Sequence, residues 1–472
     1  MTLGAVAASA DGRRIVFEAP LGTALVPGGF AVVATTPPLL AQVTRAELGN
    51  GRDGAGAPVL VGDALALRGG GAGFGDTAIE PAPVDEIAAW AREELSAEGL
   101  DVGELAHGSH VRALLDPRGL ARHTFLVGQS GSGKTYTTGV FLEQIIRQTK
   151  LRIIVLDPNS DHVGLRATRS GVDEAVAGAY RDRASRLQVA RATSDLPFAT
   201  APIGMHFSNF PPSAQRLVLR LDPLQDTGEV EALLDITERL ATPYTPDDVA
   251  RAALELDTEP GRELAVRIRS LGLDGWSMWK TDPGQPVLGE LVAEHPDTGD
   301  HDGLVIDLGS LAEPAERSAV AAAVLLTVWA DRAARIPTLV VLDEAHHICP
   351  AEPADPIQAV ATETAILIAG EGRKYGIFLF VATQRPQKIH PSVVAGCENI
   401  ALLRMNSLRD VAELEASFSH VPQGLLRLAP GFSRGEALLA GPVVPAPLHT
   451  RIGGRITEEG GGDIPSTWAS LA

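Results

Sequence analysis

From Thr124 onward, short unbroken apolar runs alternate with longer stretches of helical periodicity. Thr124–Val127 reads as a buried strand and 133–149 as the helix after it, with Phe141, Leu142, Ile145 and Ile146 on one helical face. Residues 152–156, 304–308, 339–342, 377–381 and 400–403 read as further strands. Residues 315–332 and 357–369 read as helices between them. Continuous apolar strands joined by helices predict an α/β fold with a mostly parallel sheet covered on both faces.

The first 110 residues or so have a different texture. Short apolar stretches at 14–17, 30–35 and 59–61 are broken by Gly, Pro and Asp, which predicts a small β-rich domain. A β-barrel fits these patterns without being required by them. Residues 69–75 read as a glycine-rich loop, and Val84–Glu94 as a short helix. The interval from Pro158 to Asp302 is too long for one crossover. Val230, Leu233, Leu234, Thr237 and Leu240, then Leu264, Ile268 and Leu271, follow helical spacing. The expected organisation is therefore a β-rich domain at 1–110 and an α/β domain at 111–450. A largely helical insertion occupies about 165–300, and a C-terminal tail 451–472.

Composition narrows the setting. Of 472 residues, 45% are apolar, so a packed core is expected, and the runs at 338–342 and 376–382 are too short to cross a bilayer. The opening residues lack the basic–apolar–small order of a secretion signal. With only Cys349 and Cys397, the chain is no disulfide scaffold and suits a reducing, cytoplasmic compartment. With 59 acidic against 40 basic residues, the formal charge is −19, which argues against a general nucleic-acid coat but not against a locally basic channel. Aromatics at 4% make base-stacking platforms a poor fit.

The chemistry is concentrated at the ends of the apolar strands. Gly128-Gln129-Ser130-Gly131-Ser132-Gly133-Lys134-Thr135 follows a strand and opens a helix, the setting in which backbone N–H groups wrap phosphates. Lys134 is expected to reach the β- and γ-phosphates of ATP, and Thr135 to ligate Mg²⁺. The strand ending at Leu342 runs into Asp343 and Glu344, a metal-shell carboxylate and a base for the attacking water. Gln384, just past 377–381, is a candidate sensor of that water and the γ-phosphate. Asp157 ends the strand at 152–156 on the sheet edge where α/β proteins bind ligands. Asp161 reads equally as a helper or as a turn cap. His346, His347 and Cys349 lack a fourth partner at metal spacing, so a structural or coupling role is expected of them.

Asp343-Glu344-Ala345-His346 spells a DEAH box, yet too few residues follow His346 to build the second lobe of such a helicase. The missing lobe must come from a neighbouring subunit, which predicts a ring.

Beyond these motifs the chain resembles the HerA–FtsK superfamily, in particular the bacterial and archaeal HerA-like ATPases. The likeness covers most of its length. It rests on Arg122-His123, Val155-Leu156-Asp157-Pro158, Leu342-Asp343-Glu344-Ala345-His346, Gly372-Arg373-Lys374-Tyr375-Gly376, Ala382-Thr383-Gln384-Arg385-Pro386 and Cys397-Glu398-Asn399, in that order. The resemblance implies an N-terminal β-barrel, to which Gly28–Gly29–Phe30–Ala31–Val32–Val33 and Ala41–Gln42–Val43 are similar, a RecA-like P-loop core and an inserted helical bundle. It also implies a hexameric homo-oligomer that moves double-stranded DNA, often beside a nuclease in end processing. Arg373 is the implied residue for a neighbour's γ-phosphate, with Arg122 second. Where many relatives carry Gly and Glu after the Asp157 strand, this chain has Asn159-Ser160-Asp161-His162. DNA as cargo is implied by the resemblance alone. A nucleotide-gated scaffold that closes around a protein partner is the alternative.

Overall fold

The computed structural model describes residues 4–52, 57–68, 71–107, 110–281, 284–294 and 303–460. It divides into two compact units, Met1–Gln144 with Cys397–Gly454, and Ile145–Gly396 with Arg455–Ala472.

The first unit opens with a closed antiparallel barrel of six strands. Around the barrel run Val6–Ser9, Arg14–Pro20, Pro58–Ala66, Leu39–Arg52, Phe30–Val33 and Phe74–Pro81, the last closing on the first. Strict alternation drives the closure: along Arg14–Pro20, Ile15, Phe17 and Ala19 point inward while their neighbours face water. Ala31, Val33, Ala41, Val43 and Ile79 complete the interior. At Gly62 the wall tolerates no side chain, because a Cβ there would lie 2.3 Å from the Arg45 carbonyl oxygen and 2.4 Å from the Phe17 ring. The expected helix Val84–Glu94 forms and buries Ile87, Trp90 and Ala91, with Trp90 against Phe30. The glycine-rich loop expected at 69–75 is shortened, since Phe74 already starts a strand; residues 69 and 70 lie outside the described residues.

A sheet makes up the rest of this unit, in the order Thr124–Val127, Asn399–Leu403, Glu436–Ala440, Leu448–Ile452, Leu100–Leu105 and Arg112–Leu115. Only its first pair is parallel; the others are antiparallel. The mostly parallel arrangement expected throughout therefore stops at Asn399–Leu403. The connection from Ala440 to Leu448 is too short for a crossover and returns the chain as a hairpin. Leu100–Leu105, expected within the N-terminal β-rich region, pairs instead with Leu448–Ile452.

In the second unit the strands are all parallel, ordered Ala201–Pro202, Leu187–Arg191, Gly303–Asp307, Arg152–Asp157, Thr338–Leu342 and Ile377–Thr383. The central strands are buried along their whole length, as their unbroken apolar composition requires. Helices Pro314–Ala330 and Pro356–Glu371 pack on each other. The stretch expected as a helical insertion contains helices Pro212–Val218, Thr227–Arg239, Pro246–Glu255, Glu259–Ser270 and Leu288–Ala293. Thr245 and Thr258 cap two of them through their hydroxyls. Leu187–Arg191 and Ala201–Pro202 fall in the same stretch but are sheet strands. They are too short and too mixed in polarity to announce themselves. Residues 295–302 of that stretch, and 461–472 of the expected tail, lie outside the described residues. The rest of the tail is not loose. Residues 455–460 run along the 161–169 turn, with the Glu458 N–H donating to Ala167 O and Thr457 bridging to Thr168.

Candidate phosphate loop and acidic strand ends

In the first unit, Thr124–Val127 delivers the chain into the glycine-rich loop, and helix Lys134–Gln148 begins where the loop ends. Gly131 and Gly133 have φ of +74° and +99°, backbone that other residues adopt only with strain. Gly128 is fixed by crowding, since a Cβ there would meet Ser132 Oγ at 2.6 Å. The loop is held from behind. Gln129 N–H donates to Arg404 O (3.0 Å), Gln129 Oε1 accepts from Asn406 N–H (3.1 Å), and Ser132 O accepts from Gly435 N–H (3.1 Å). Ser130 and Gly131 remain exposed at the crest, Thr135 is half-buried, and Lys134 and Ser132 are buried. This is a braced backbone concavity at a helix N-terminus with a buried lysine beside it, the arrangement that suits an anion.

Asn399, fully buried, ties this unit together. Its Nδ2 donates to Gly119 O (2.9 Å) and lies 3.3 Å from Thr124 Oγ1, while its Oδ1 accepts from Val443 N–H (2.9 Å). Beside it Arg122 pairs with Glu398 at 3.1 Å, both partly exposed. Arg122 precedes the strand that the phosphate loop follows, so the two occupy opposite strand ends.

In the second unit the carboxyl ends of three neighbouring strands carry Asp307, Asp157 and Asp343. All three are fully buried. Asp157 accepts N–H bonds from Asn159, Asp161 and His162 at 3.2, 3.0 and 2.7 Å. Burial pushes its carboxyl up to about 6, aided by the Asp343 charge and opposed by His162. His162 Nε2 lies 3.5 Å from Asp343 Oδ2. Burial works against a charged His162 ring, but Asp343 and Asp157 outweigh it and raise the ring's pKa. Asp157 and Asp343 are thus gathered around His162. Asp161 gives its N–H to Asp157 and its carbonyl to the Gly460 N–H.

Asp307 was missed by sequence reasoning, which ran the strand through it to Leu308. It accepts from Ser160 Oγ (2.7 Å) and Arg191 Nε (2.6 Å). The signal was present: an aspartate closing an apolar run, as at Asp157.

Glu344 is buried and has φ +40°, ψ +49°, a left-handed conformation that costs a non-glycine residue on the order of 1 kcal/mol. Its Oε2 lies 3.2 Å from His346 Nδ1, and the same nitrogen lies 3.2 Å from Thr383 Oγ1. Gln384, half-buried, follows directly. The His347 ring rests on His346 at 4.1 Å between centroids. Burial and the charges of His346, Arg385 and Arg317 hold it below its usual pKa, with Glu344 opposing. Cys349 is buried, its thiol pushed up to about 12, and it donates to Ala345 O. Arg373 is exposed just before the strand Ile377–Thr383, whereas Gln384 follows it. Seven strand residues separate them, roughly 20 Å. The structure therefore does not bring Arg373 to its own chain's Glu344.

The chain is similar to several known proteins. The family model described as "Helicase HerA, central domain" matches residues 100–255. The DNA double-strand break repair helicase HerA of Pyrococcus furiosus is 23% identical over 391 residues, covering 75% of this chain and 69% of that protein. A probable DNA double-strand break repair helicase HerA of Methanocaldococcus jannaschii is 27% identical over 128 residues, covering 27% of this chain and 25% of its own length. The fold is shared with VirB4 of Thermoanaerobacter pseudethanolicus, at a TM-score of 0.52 and 17% identity, over 76% of this chain and 98% of that one. It is also shared with the plasmid coupling protein TrwB in complex with ADP and Mg²⁺, at a TM-score of 0.52 and 13% identity, over 81% of this chain and 94% of that one. With its N-terminal barrel and α/β core, the chain is similar to HerA in sequence and shares its core fold with VirB4 and TrwB.

Proposed function

We propose that this protein is a Mg·ATP-hydrolysing ring motor that moves double-stranded DNA. The observation that carries the ATPase reading is the braced loop 128–135 with its buried Lys134, together with a strand ending in buried Asp343 and Glu344. Gly128, Gln129, Ser130, Gly131, Ser132 and Gly133 would wrap the phosphates and Lys134 would neutralise them. The Thr135 hydroxyl and Asp343 carboxylate are hard oxygen donors of the type Mg²⁺ takes, and Asp157 stands beside Asp343 to order its shell. Bound there, the ion would offset the charge gathering on the β- and γ-phosphate oxygens.

Glu344 orients a water and accepts its proton as the oxygen bonds to the γ-phosphorus. The bond to the β-phosphate oxygen breaks, and ADP and phosphate leave. Gln384 senses the water and γ-phosphate from the adjoining strand end. Arg373, at the opposite strand edge, is suited to a neighbour's nucleotide, which requires a closed homo-oligomer, in our reading a hexamer. Arg122, paired with Glu398, is the second candidate. We place the motor in 111–450 with its insertion at about 165–300, the barrel domain in 1–110 and a tail after 450. The setting is cytoplasmic, with a nuclease partner in DNA end processing.

The DNA assignment draws on the HerA relatives' names. Against it stand the −19 charge and the few aromatics, which favour an ATP-gated scaffold for a protein partner as the second reading. Phosphate contacts from a few Lys or Arg per subunit, repeated around a ring, would suffice for sequence-independent binding. The test is ATPase rate against duplex DNA concentration at several salt levels, with Glu344→Gln as the hydrolysis-dead control. DNA should accelerate turnover at low salt, and the effect should fade steeply as salt rises. An assembled, ATP-active ring that neither binds DNA nor changes rate would overturn the DNA reading and favour the scaffold.

A further inference from the structure

We propose that Trp329, Arg332 and Tyr375 form a positioning stack that presents Arg373 to a neighbouring subunit. The inference rests on the reading above of Arg373 as the residue for a neighbour's γ-phosphate.

Arg373 lies in the short helical turn Gly372–Tyr375, between helix Pro356–Glu371 and the strand Ile377–Thr383. Its side chain is exposed, so its placement depends on the backbone beneath it. That backbone is fixed at both ends. A Cβ on Gly372 would meet Ile377 O at 2.7 Å, so the turn enters hard against the strand. Gly376 leaves the turn at φ +79°, and its carbonyl accepts from the Thr338 N–H at 2.9 Å. Between these points the ring of Tyr375, two residues from Arg373, lies against the end of helix Pro314–Ala330. Trp329 and Tyr375 meet edge to face, with centroids 5.8 Å apart and planes at 85°. The Arg332 guanidinium stands over both rings, 4.7 Å from the Trp329 centroid and 5.7 Å from that of Tyr375. Arg332 is itself pinned, its Nη1 donating to Trp329 O at 2.7 Å. The stack lies at the starting ends of Thr338–Leu342 and Ile377–Thr383, whereas Glu344 and Gln384 follow their far ends. It therefore touches no reacting atom of its own chain. What it holds is the turn that carries Arg373, and a charge misplaced by about 1 Å can cost about 100-fold in rate.

The test follows ATP turnover in single variants and in mixtures with proven subunit exchange. Tyr375→Leu and Trp329→Leu each break the stack, and Tyr375→Phe keeps the ring. Alone, the two leucine variants should lower kcat about tenfold or more with KM for ATP within about twofold, while Tyr375→Phe stays within about threefold of the parent. Mixed with Lys134→Ala chains, which carry an intact Arg373 turn, each leucine variant should exceed the mean of the two proteins measured apart. In an equal mixture about one interface in four then pairs an intact nucleotide site with an intact arginine. Mixed with Arg373→Ala chains, the leucine variants should show no such gain, because both partners lack a placed arginine. A chain damaged in its own fold or nucleotide site would gain nothing from Lys134→Ala chains. Parental kcat in the leucine variants, a Tyr375→Phe protein as impaired as Tyr375→Leu, no gain with Lys134→Ala, or equal gain with both partners would overturn the stack's role. The Arg373→Ala and Lys134→Ala mixture is the control. No recovery there would defeat the reading of Arg373 itself, and the stack's role with it.

Discussion

Replacing Asn399 should destabilise the phosphate-loop unit far more than its distance from the loop suggests. The side chain is fully buried and makes two hydrogen bonds of 2.9 Å, from Nδ2 to Gly119 O and from Val443 N–H to Oδ1, plus the 3.3 Å approach to Thr124 Oγ1. Asn399→Ala strands one buried carbonyl and one buried amide, each costing about 1–3 kcal/mol, so the total loss should be about 2–6 kcal/mol. Asn399→Asp should be worse. It keeps the acceptor for Val443 but turns a carboxylate oxygen toward the Gly119 carbonyl and buries a charge. Neighbouring space offers no relief, because Gly441, at φ +106°, already stands where a Cβ would lie 2.8 Å from Asn399 Oδ1. Urea titration gives the loss, and hydrogen exchange at the Val443 amide, which should speed up in both variants, localises it. A loss under about 1 kcal/mol in the alanine variant, or an aspartate variant as stable as the parent, would refute the hub assignment.

A pH dependence should come from His449. Burial, then the neighbouring His107 at 3.1 Å and Arg451, press its pKa down to about 4 against the pull of Glu436. An unfolded histidine takes up its proton near 6.5, so the folded state is intact above that pH and loses stability as pH falls from about 6.5 toward 4, by about 3 kcal/mol in full. His449→Gln should flatten this limb in paired unfolding titrations; parallel pH curves for both proteins would contradict the shift. Arg373 should act across an interface. Mixing inactive Lys134→Ala chains with inactive Arg373→Ala chains should recover part of the ATPase, whereas no recovery despite proven subunit exchange would place Arg373 in a cis or structural role. Gly62→Val should unfold the barrel, visible as loss of its cooperative transition, since the Phe17 ring and the Arg45 carbonyl occupy the space; a barrel as stable as the parent's would show that the wall can yield.

The parts of this fold that could be read from the sequence are those whose local pattern has one physical solution. Unbroken apolar runs such as Arg152–Asp157 and Thr338–Leu342 can satisfy their backbone only inside a sheet, and they lie there. The alternation in Arg14–Pro20 likewise faces one side of the barrel. Pairing partners far apart in sequence left no such mark. Leu100–Leu105 joining Leu448–Ile452, and Leu187–Arg191 joining Gly303–Asp307, depend on tertiary context rather than periodicity. The same holds for side chains. Asp343 and Glu344 stand out because acids end a buried strand, whereas Asp307 was hidden by an apolar run taken one residue too far. The Cys397-Glu398-Asn399 motif was visible as letters, but Asn399's partners at Gly119 and Val443 exist only once the chain has folded.

The proposed binding of ATP by loop 128–135 and its hydrolysis through Glu344 form one assignment. It is tested most directly by measuring ATP turnover and ATP binding side by side in the parent chain, Lys134→Ala and Glu344→Gln, with Mg²⁺ present. The parent should hydrolyse ATP. Glu344→Gln should bind ATP as the parent does while turnover falls about 100-fold or more, and Lys134→Ala should lose productive binding and turnover together. Parental turnover in both variants, or loss of ATP binding in a properly folded Glu344→Gln protein, would contradict the account.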